Sequence, residues 1–308
     1  LAVPYVSFFD DEYWSEAASL EKLKIIIDSH YEVFKSLEEF LLVKNKKLVY
    51  VIGNHDAELF LPKIKEYFLS QFDEKCNIEI LGHDTYEYVP TEGVVIKHGH
   101  EYESVHSCSH GHPVLKNKNQ ERFLNPPWGS YYVVRIINKF KSERRYVNSV
   151  RPIKKFIING LIYDSLFTIR FILANIYYWL MVRFIYYFKT RESHLDLLND
   201  LKQEFELFVD FENITEEYFI KNPNVKALIL GHTHEPQFKV FNDDSVFVNT
   251  GTWTNMYNLD FGRHSENTML TYAHIDILSS LEKNYKDNLK ISLNVWKGVD
   301  TGPFYQFS

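Results

Sequence analysis

The sequence predicts an α/β fold, and three observations carry that prediction. Segments with an apolar stripe at a spacing of three or four alternate with short, continuous apolar runs at both ends of the chain. Several of those runs are bounded by Gly or Asn. Three of them end in motifs that combine Gly with His.

From the start of the chain, residues Trp14 to Val43 read as one helix, because Leu20, Leu23, Ile26, Ile27, Tyr31, Phe34, Leu37 and Phe40 recur along one face. The run Lys47 to Ile52 ends at Gly53 and reads as a buried strand. A second helix is predicted over Leu61 to Gln71. Further strands are predicted at Ile78–Leu81, Val94–Lys97, Ala227–Leu230, Val246–Asn249, Met269–Ile277 and Ile291–Trp296. No internal repeat or low-complexity tract interrupts the pattern.

The chain has 308 residues, of which 45% are hydrophobic and 16% aromatic, enough for one large domain or two small ones. A formal charge of −7 argues against a general nucleic-acid binder, which needs a basic face to displace counterions. Two cysteines, Cys76 and Cys108, cannot build a disulfide framework, so a reducing cytoplasm is the expected compartment. No signal peptide is visible after Leu1, and the missing initiator Met predicts a processed chain or a fragment.

The middle of the chain has a different composition. Between Arg135 and Arg191 there are twelve Lys or Arg, including Arg144, Arg145, Lys154 and Lys155, opposed only by Glu143 and Asp164. This segment is net +10, which leaves −17 for the remainder. Phe156 to Phe188 within it is rich in Phe, Ile, Leu and Tyr. One reading is a helical hairpin packed on the body or on another subunit. The other is a basic, amphipathic lid that makes peripheral membrane contact or grips an anionic, apolar substrate. Asp164, Arg170 and Arg183 disfavour a membrane span, because each would be costly in lipid.

The chemistry-bearing residues sit at strand ends. Val51-Ile52 leads into Gly53-Asn54-His55-Asp56, Val95-Ile96-Lys97 into His98-Gly99-His100, and Leu228-Ile229-Leu230 into Gly231-His232-Thr233-His234. Ligands in open α/β sheets gather beyond the carboxyl ends of strands. Gly beside each polar residue allows the sharp turn there. Imidazoles and an amide oxygen brought together suit Zn, Mn, Fe or a similar cation. Taken singly, each His-containing motif also fits a structural or surface histidine.

In their order and strand context the three motifs resemble the calcineurin-like metallophosphoesterases, whose later signature blocks are Gly-Asn-His-Asp/Glu, a His after a strand, and Gly-His-x-His. The run Val246 to Trp253 is similar to the strand and turn that follow in that family. The resemblance spans about residues 48 to 277, outside the basic insertion. It implies a sandwich of two mixed β-sheets flanked by helices, one domain over 1–308 with a helical insertion at 104–200. It implies two divalent metal ions, with Asn54, His98 and His232 on one and His234 on the other. It implies that His55 stabilises charge or donates a proton at the scissile phosphate, and that Asp56 orients it. Two cations roughly 3.5–4 Å apart lower the pKa of a bridging water and stabilise in-line displacement. The implied reaction is hydrolysis of a phosphomonoester, phosphodiester or pyrophosphate. The position of the insertion is similar to that of the helical lid in UDP-diacylglucosamine pyrophosphohydrolases, so a lipid-linked or other anionic amphiphilic substrate joins nucleotides and phosphoproteins as an expectation.

The chain departs from the family pattern upstream of Gly53, where no Gly-Asp-x-x-Asp occurs. Asp28-Ser29-His30 spells Asp-x-His but falls within a helical stripe. The expectation is that the Asp-x-His strand and the bridging Asp lie upstream of Leu1, so that these 308 residues alone are a weak enzyme or none. His106, Cys108, His110 and His112 alternate along a predicted loop and fit either a further metal site or a loop bordering the active site. His83-Asp84 reads as an ordinary turn. The competing functional reading is a non-catalytic scaffold of the same fold that binds a partner or membrane through the insertion. Retention of Asn54, His55, His98, His232 and His234 weighs against it.

Overall fold

The computed structural model describes residues 14–82, 85–103, 113–125, 130, 132–147, 149–151, 153–190, 211–241, 245–254, 256–258, 266–267, 270–277 and 289–298. In chain order the elements are α1 (Glu16–Ser29), α2 (Tyr31–Leu41), β1 (Leu48–Val51), α3 (Pro62–Leu69), β2 (Ile78–Leu81), β3 (Val94–Ile96), β4 (Val114–Lys116), β5 (Arg122–Leu124), α4 (Asn138–Lys141), β6 (Val150–Arg151), α5 (Ile153–Tyr163), α6 (Ser165–Thr190), α7 (Phe211–Lys221), β7 (Ala227–Leu230), β8 (Pro236–Val240), β9 (Val246–Thr250), β10 (Met256–Asn258), β11 (Glu266–Asn267), β12 (Leu270–Ile277) and β13 (Leu289–Trp296). Short 3-10 turns at Ala57–Phe60 and His100–Tyr102, and a π-helical stretch at Val133–Ile137, complete the list. The chain is thus of the mixed α/β class. It divides into two compact units, residues 1–86 with 100–209, and residues 87–99 with 210–308.

In the first unit β1 and β2 pair in parallel, Leu48 opposite Ile78, with α3 between them in sequence. Helix α1 is capped by Ser15, whose hydroxyl accepts from the Ala18 N–H at 3.1 Å. The Glu16 carboxylate accepts from the Lys63 N–H at 3.1 Å, so it satisfies a backbone donor at the start of α3, just after Pro62. The core beneath these helices joins Trp14, Leu41, Ile52, Leu61, Ile64, Phe68, Phe72 and Leu124.

The single N-terminal helix predicted over 14–43 is two helices. His30 leaves the helical region at φ −124° and separates α1 from α2. The break divides the predicted stripe. Ile27 and Leu41 are buried, whereas Ile26, Tyr31 and Phe40 stay exposed. Asp28 and Ser29 are the last turn of α1, as the helical reading of Asp28-Ser29-His30 expects.

The insertion is helical only in part. It contains the hairpin β4–β5, whose turn is held by the Asn117 side-chain oxygen accepting from the Asn119 and Glu121 N–H groups at 2.9 and 3.0 Å. Strands of three residues carry too little alternation to be read from sequence. Helices α5 and α6 follow and cross closely. A Cβ added at Gly160 would meet the Thr168 Oγ1, which explains a glycine inside α5.

In the second unit β3, β7 and β9 run parallel, with β8 antiparallel at the edge, in the order β3-β7-β9-β8. The residues Val94, Ala227, Ile229 and Val248 of this sheet pack against Ala273, Ile275, Leu289, Ile291 and Leu293 of the β12–β13 hairpin. All seven predicted strands are present across the two units, within two residues at each end. The edge strand β8 was not predicted; its leading Pro236 withholds an N–H and weakens the strand signal. The cluster His106, Cys108, His110 and His112, the pair His83-Asp84, and the segment around Arg191 lie outside the described residues. No helix among the described residues is long and apolar enough to cross a membrane.

Candidate metal centre

The β3–β7 ladder continues past the strand ends and carries the histidines with it. The Lys97 N–H donates to Ile229 O and the Gly231 N–H to His98 O, both at 3.0 Å. His98 and His232 therefore stand side by side, ring centroids 5.3 Å apart and planes at 67°. His232 and His234 both adopt left-handed backbone conformations, φ 66° and 64°. Such conformations cost a non-glycine residue roughly 1–2 kcal/mol each and persist only where the surroundings impose them.

Here the surroundings do impose them. The Thr233 N–H donates to Gly231 O at 2.8 Å and tightens the turn. The amide of Asn249, 1% exposed on β9, donates to Gly231 O at 2.8 Å and to Thr233 Oγ1 at 3.0 Å. Its side-chain oxygen accepts from the Gly251 N–H at 3.0 Å. One buried amide thus ties the His232–His234 turn to the turn after β9. Gly251 has φ 70°, and a Cβ there would lie 2.8 Å from Thr271 Oγ1. Trp253, just beyond, is held by its indole N–H donating to Thr271 O at 2.8 Å.

These elements line an open pocket of about 600 Å³ bordered by His98, Gly231, His232, His234, Thr250, Gly251, Thr252 and Trp253, with Ile96, Ile229 and Ile275 also in its wall. Three of the predicted ligands, His98, His232 and His234, therefore share one pocket within the second unit.

The other three predicted residues belong to the first unit. The turn after β1 is closed by the Asp56 carboxylate accepting from the Gly53 N–H at 3.0 Å. Asn54 is buried, and its backbone oxygen accepts from the Ser130 hydroxyl at 3.4 Å. His55 is exposed at the tip. Asn54 and His55 line a crevice of about 10 Å³ with Trp14, Glu58, Ser130 and Asn138, room for about one water. Burial pushes the Asp56 carboxyl up to about 6, against the pull of hydrogen bonds from Tyr50 and the Gly53 N–H. Burial, with the Asp56 charge, raises the Tyr50 phenol as well.

The donor chemistry of His98 and His232 fits one divalent transition-metal ion, and their backbone is held in place before any ligand arrives. Among the described residues no three His, Cys, Asp or Glu side chains stand together as a ligand set, so the pair is a partial shell. Sequence reasoning passed over the clamp formed by Asn249, although a buried Asn ending the apolar run Val246-Phe247-Val248 is a visible signal. It also missed Tyr50 and Ser130, which support the Gly53–Asp56 turn only through tertiary contact.

Set against family profiles, curated proteins and solved structures, the chain matches none.

Proposed function

We propose that the chain is a metal-dependent phosphoesterase of the calcineurin-like class, a sandwich of two mixed sheets acting on a phosphoester or pyrophosphate. The observation that carries this reading is the pairing of His98 with His232 at the carboxyl ends of adjacent parallel strands, with His234 in the same pocket. His98 and His232 would hold one divalent cation and His234 a second, and these ions would supply Lewis-acid activation of water and of the phosphate. The family resemblance gives His55, exposed at the tip of its turn, the role of proton donor to the departing oxygen. Asp56 sets that turn by accepting from the Gly53 N–H. Asn249 positions the His232–His234 turn and does not touch the reacting atoms.

The test is hydrolysis of bis(p-nitrophenyl) phosphate by chelator-stripped protein resupplied with manganese, zinc or iron. Turnover that depends on the metal and disappears in His232→Ala supports the reading. No turnover with any metal, together with no metal retained, favours the scaffold alternative.

A further inference from the structure

Helix α6 is largely apolar, and among its described side chains one face is covered and the other is not. Phe167, Phe171 and Tyr178 are buried, with the rings of Phe167 and Phe171 5.6 and 5.2 Å from Phe140. On the opposite face Leu166, Ile169, Leu173, Ile176, Tyr177 and Leu180 recur at helical spacing and are all exposed, Leu166 to 72% and Leu173 to 59%. Ile158, Leu161 and Ile162 extend the bare surface onto α5. A contiguous apolar face of this kind marks an interaction site.

Charge says what the face meets. The segment from Arg135 to Arg191 is net +10. Its two acids are already engaged inside it, Asp164 with Arg144 at 2.8 Å and Glu143 with Arg170 at 2.9 Å. Lys141 and Arg145 are exposed beside Phe140 and Arg144, which pack on Phe167 of α6. A symmetric pairing of two copies through this face would set one +10 segment against another. No helix among the described residues is long and apolar enough to cross a membrane. An exposed apolar face on a segment of net positive charge suits a bilayer interface carrying negative charge.

We propose that the α5–α6 hairpin docks on the surface of an anionic lipid bilayer, with the Leu166–Leu180 face set into the head-group and acyl boundary and the cations against the head groups. This inference stands apart from the phosphoesterase reading, because it needs no metal and no hydrolysis.

The test is co-sedimentation of the full chain with phosphatidylcholine vesicles, with and without phosphatidylglycerol. Binding is expected only with phosphatidylglycerol, and it should weaken at least about tenfold as ionic strength rises from about 0.05 to about 0.5 M. Leu173→Glu with Leu180→Glu should abolish it, and Lys141→Glu with Arg145→Glu should reduce it severalfold. All four positions are exposed, and far-UV circular dichroism checks that helicity is kept. Absence of binding, or equal binding by the variants, overturns the proposal. A concentration-dependent dimer that Leu173→Glu dissolves also overturns it and assigns the face to a second copy. Hydrolysis of the soluble diester, measured in parallel, should be the same in all variants. Its absence throughout would count against the phosphoesterase reading alone.

Discussion

The imidazoles of His98 and His232 lie 5.3 Å apart, centroid to centroid, although 133 positions separate them along the chain. They meet because β3 and β7 are neighbours in a parallel sheet and the ladder runs one bond beyond each strand, through Lys97 to Ile229 and Gly231 to His98. Two imidazoles presented on the ends of adjacent strands make a half-shell for a cation with little freedom left to lose on binding. Replacing either His98 or His232 by Ala should therefore remove binding of the tighter metal equivalent, read by isothermal titration calorimetry with zinc. Retained binding in both variants would place the cation elsewhere.

Asn249 is the residue whose loss should loosen that arrangement without touching the metal. Asn249→Ala leaves Gly231 O, Thr233 Oγ1 and the Gly251 N–H without their shared partner. Gly231 O keeps the Thr233 N–H and Thr233 Oγ1 the Glu235 N–H, so the Gly251 N–H alone loses its partner outright; an unsatisfied buried group costs about 1–3 kcal/mol, and a stability loss of that order is expected in urea denaturation. Zinc affinity should fall at the same time, because the left-handed conformations of His232 and His234 lose their support. A stable variant with unchanged affinity would show that Thr233 and Gly231 hold the turn by themselves.

Gly251→Ala probes the opposite side of the same clamp. The backbone at φ 70° and a Cβ approaching Thr271 Oγ1 at 2.8 Å both oppose any side chain. The left-handed term alone costs about 1–2 kcal/mol, and the close approach adds to it. A thermal midpoint lower by several degrees is expected, and an unchanged midpoint would mean that the β9 turn relaxes freely.

His55→Ala should lower turnover of a metal-loaded enzyme by roughly 10²–10⁴ and leave metal content nearly intact, as for an acid–base group outside the ligand shell. The side chain is exposed, so folding should not report the change. Equal turnover would take His55 out of the mechanism.

Asp56 gives a pH signature in the metal-free protein. Its carboxyl is raised from the ordinary 3.8 to about 6 by burial. Below about pH 4 it is protonated in folded and unfolded chains alike and the term is neutral. As pH rises from about 4 to about 6, the unfolded chain ionises this carboxyl while the folded chain holds it neutral, so stability falls, by no more than about 3 kcal/mol, and it levels off above the folded value. Asp56→Asn keeps an acceptor for the Gly53 N–H and should remove this part of the pH dependence between pH 4 and 7 in urea titrations. Identical slopes for the two proteins would show that Asp56 titrates normally.

The sequence by itself determined the strands that carry Asn54, His98, His232 and His234. Their apolar runs and terminal glycines are local signals, and a strand's period and its stop depend on neighbours in sequence. The α/β class follows from the same local patterns. The tertiary structure decided the rest. The break at His30 and the exposure of Ile26 and Phe40 depend on which helix face finds a core to cover. Whether α6 is buried on one side or both cannot be read from a helix that is largely apolar, since periodicity is then silent and only packed neighbours such as Phe140 choose the face. The left-handed turns at His232 and His234 arise in the same way, because a buried amide from another strand supplies the hydrogen bonds that hold them, and no spacing along the chain encodes a bond made across a sheet.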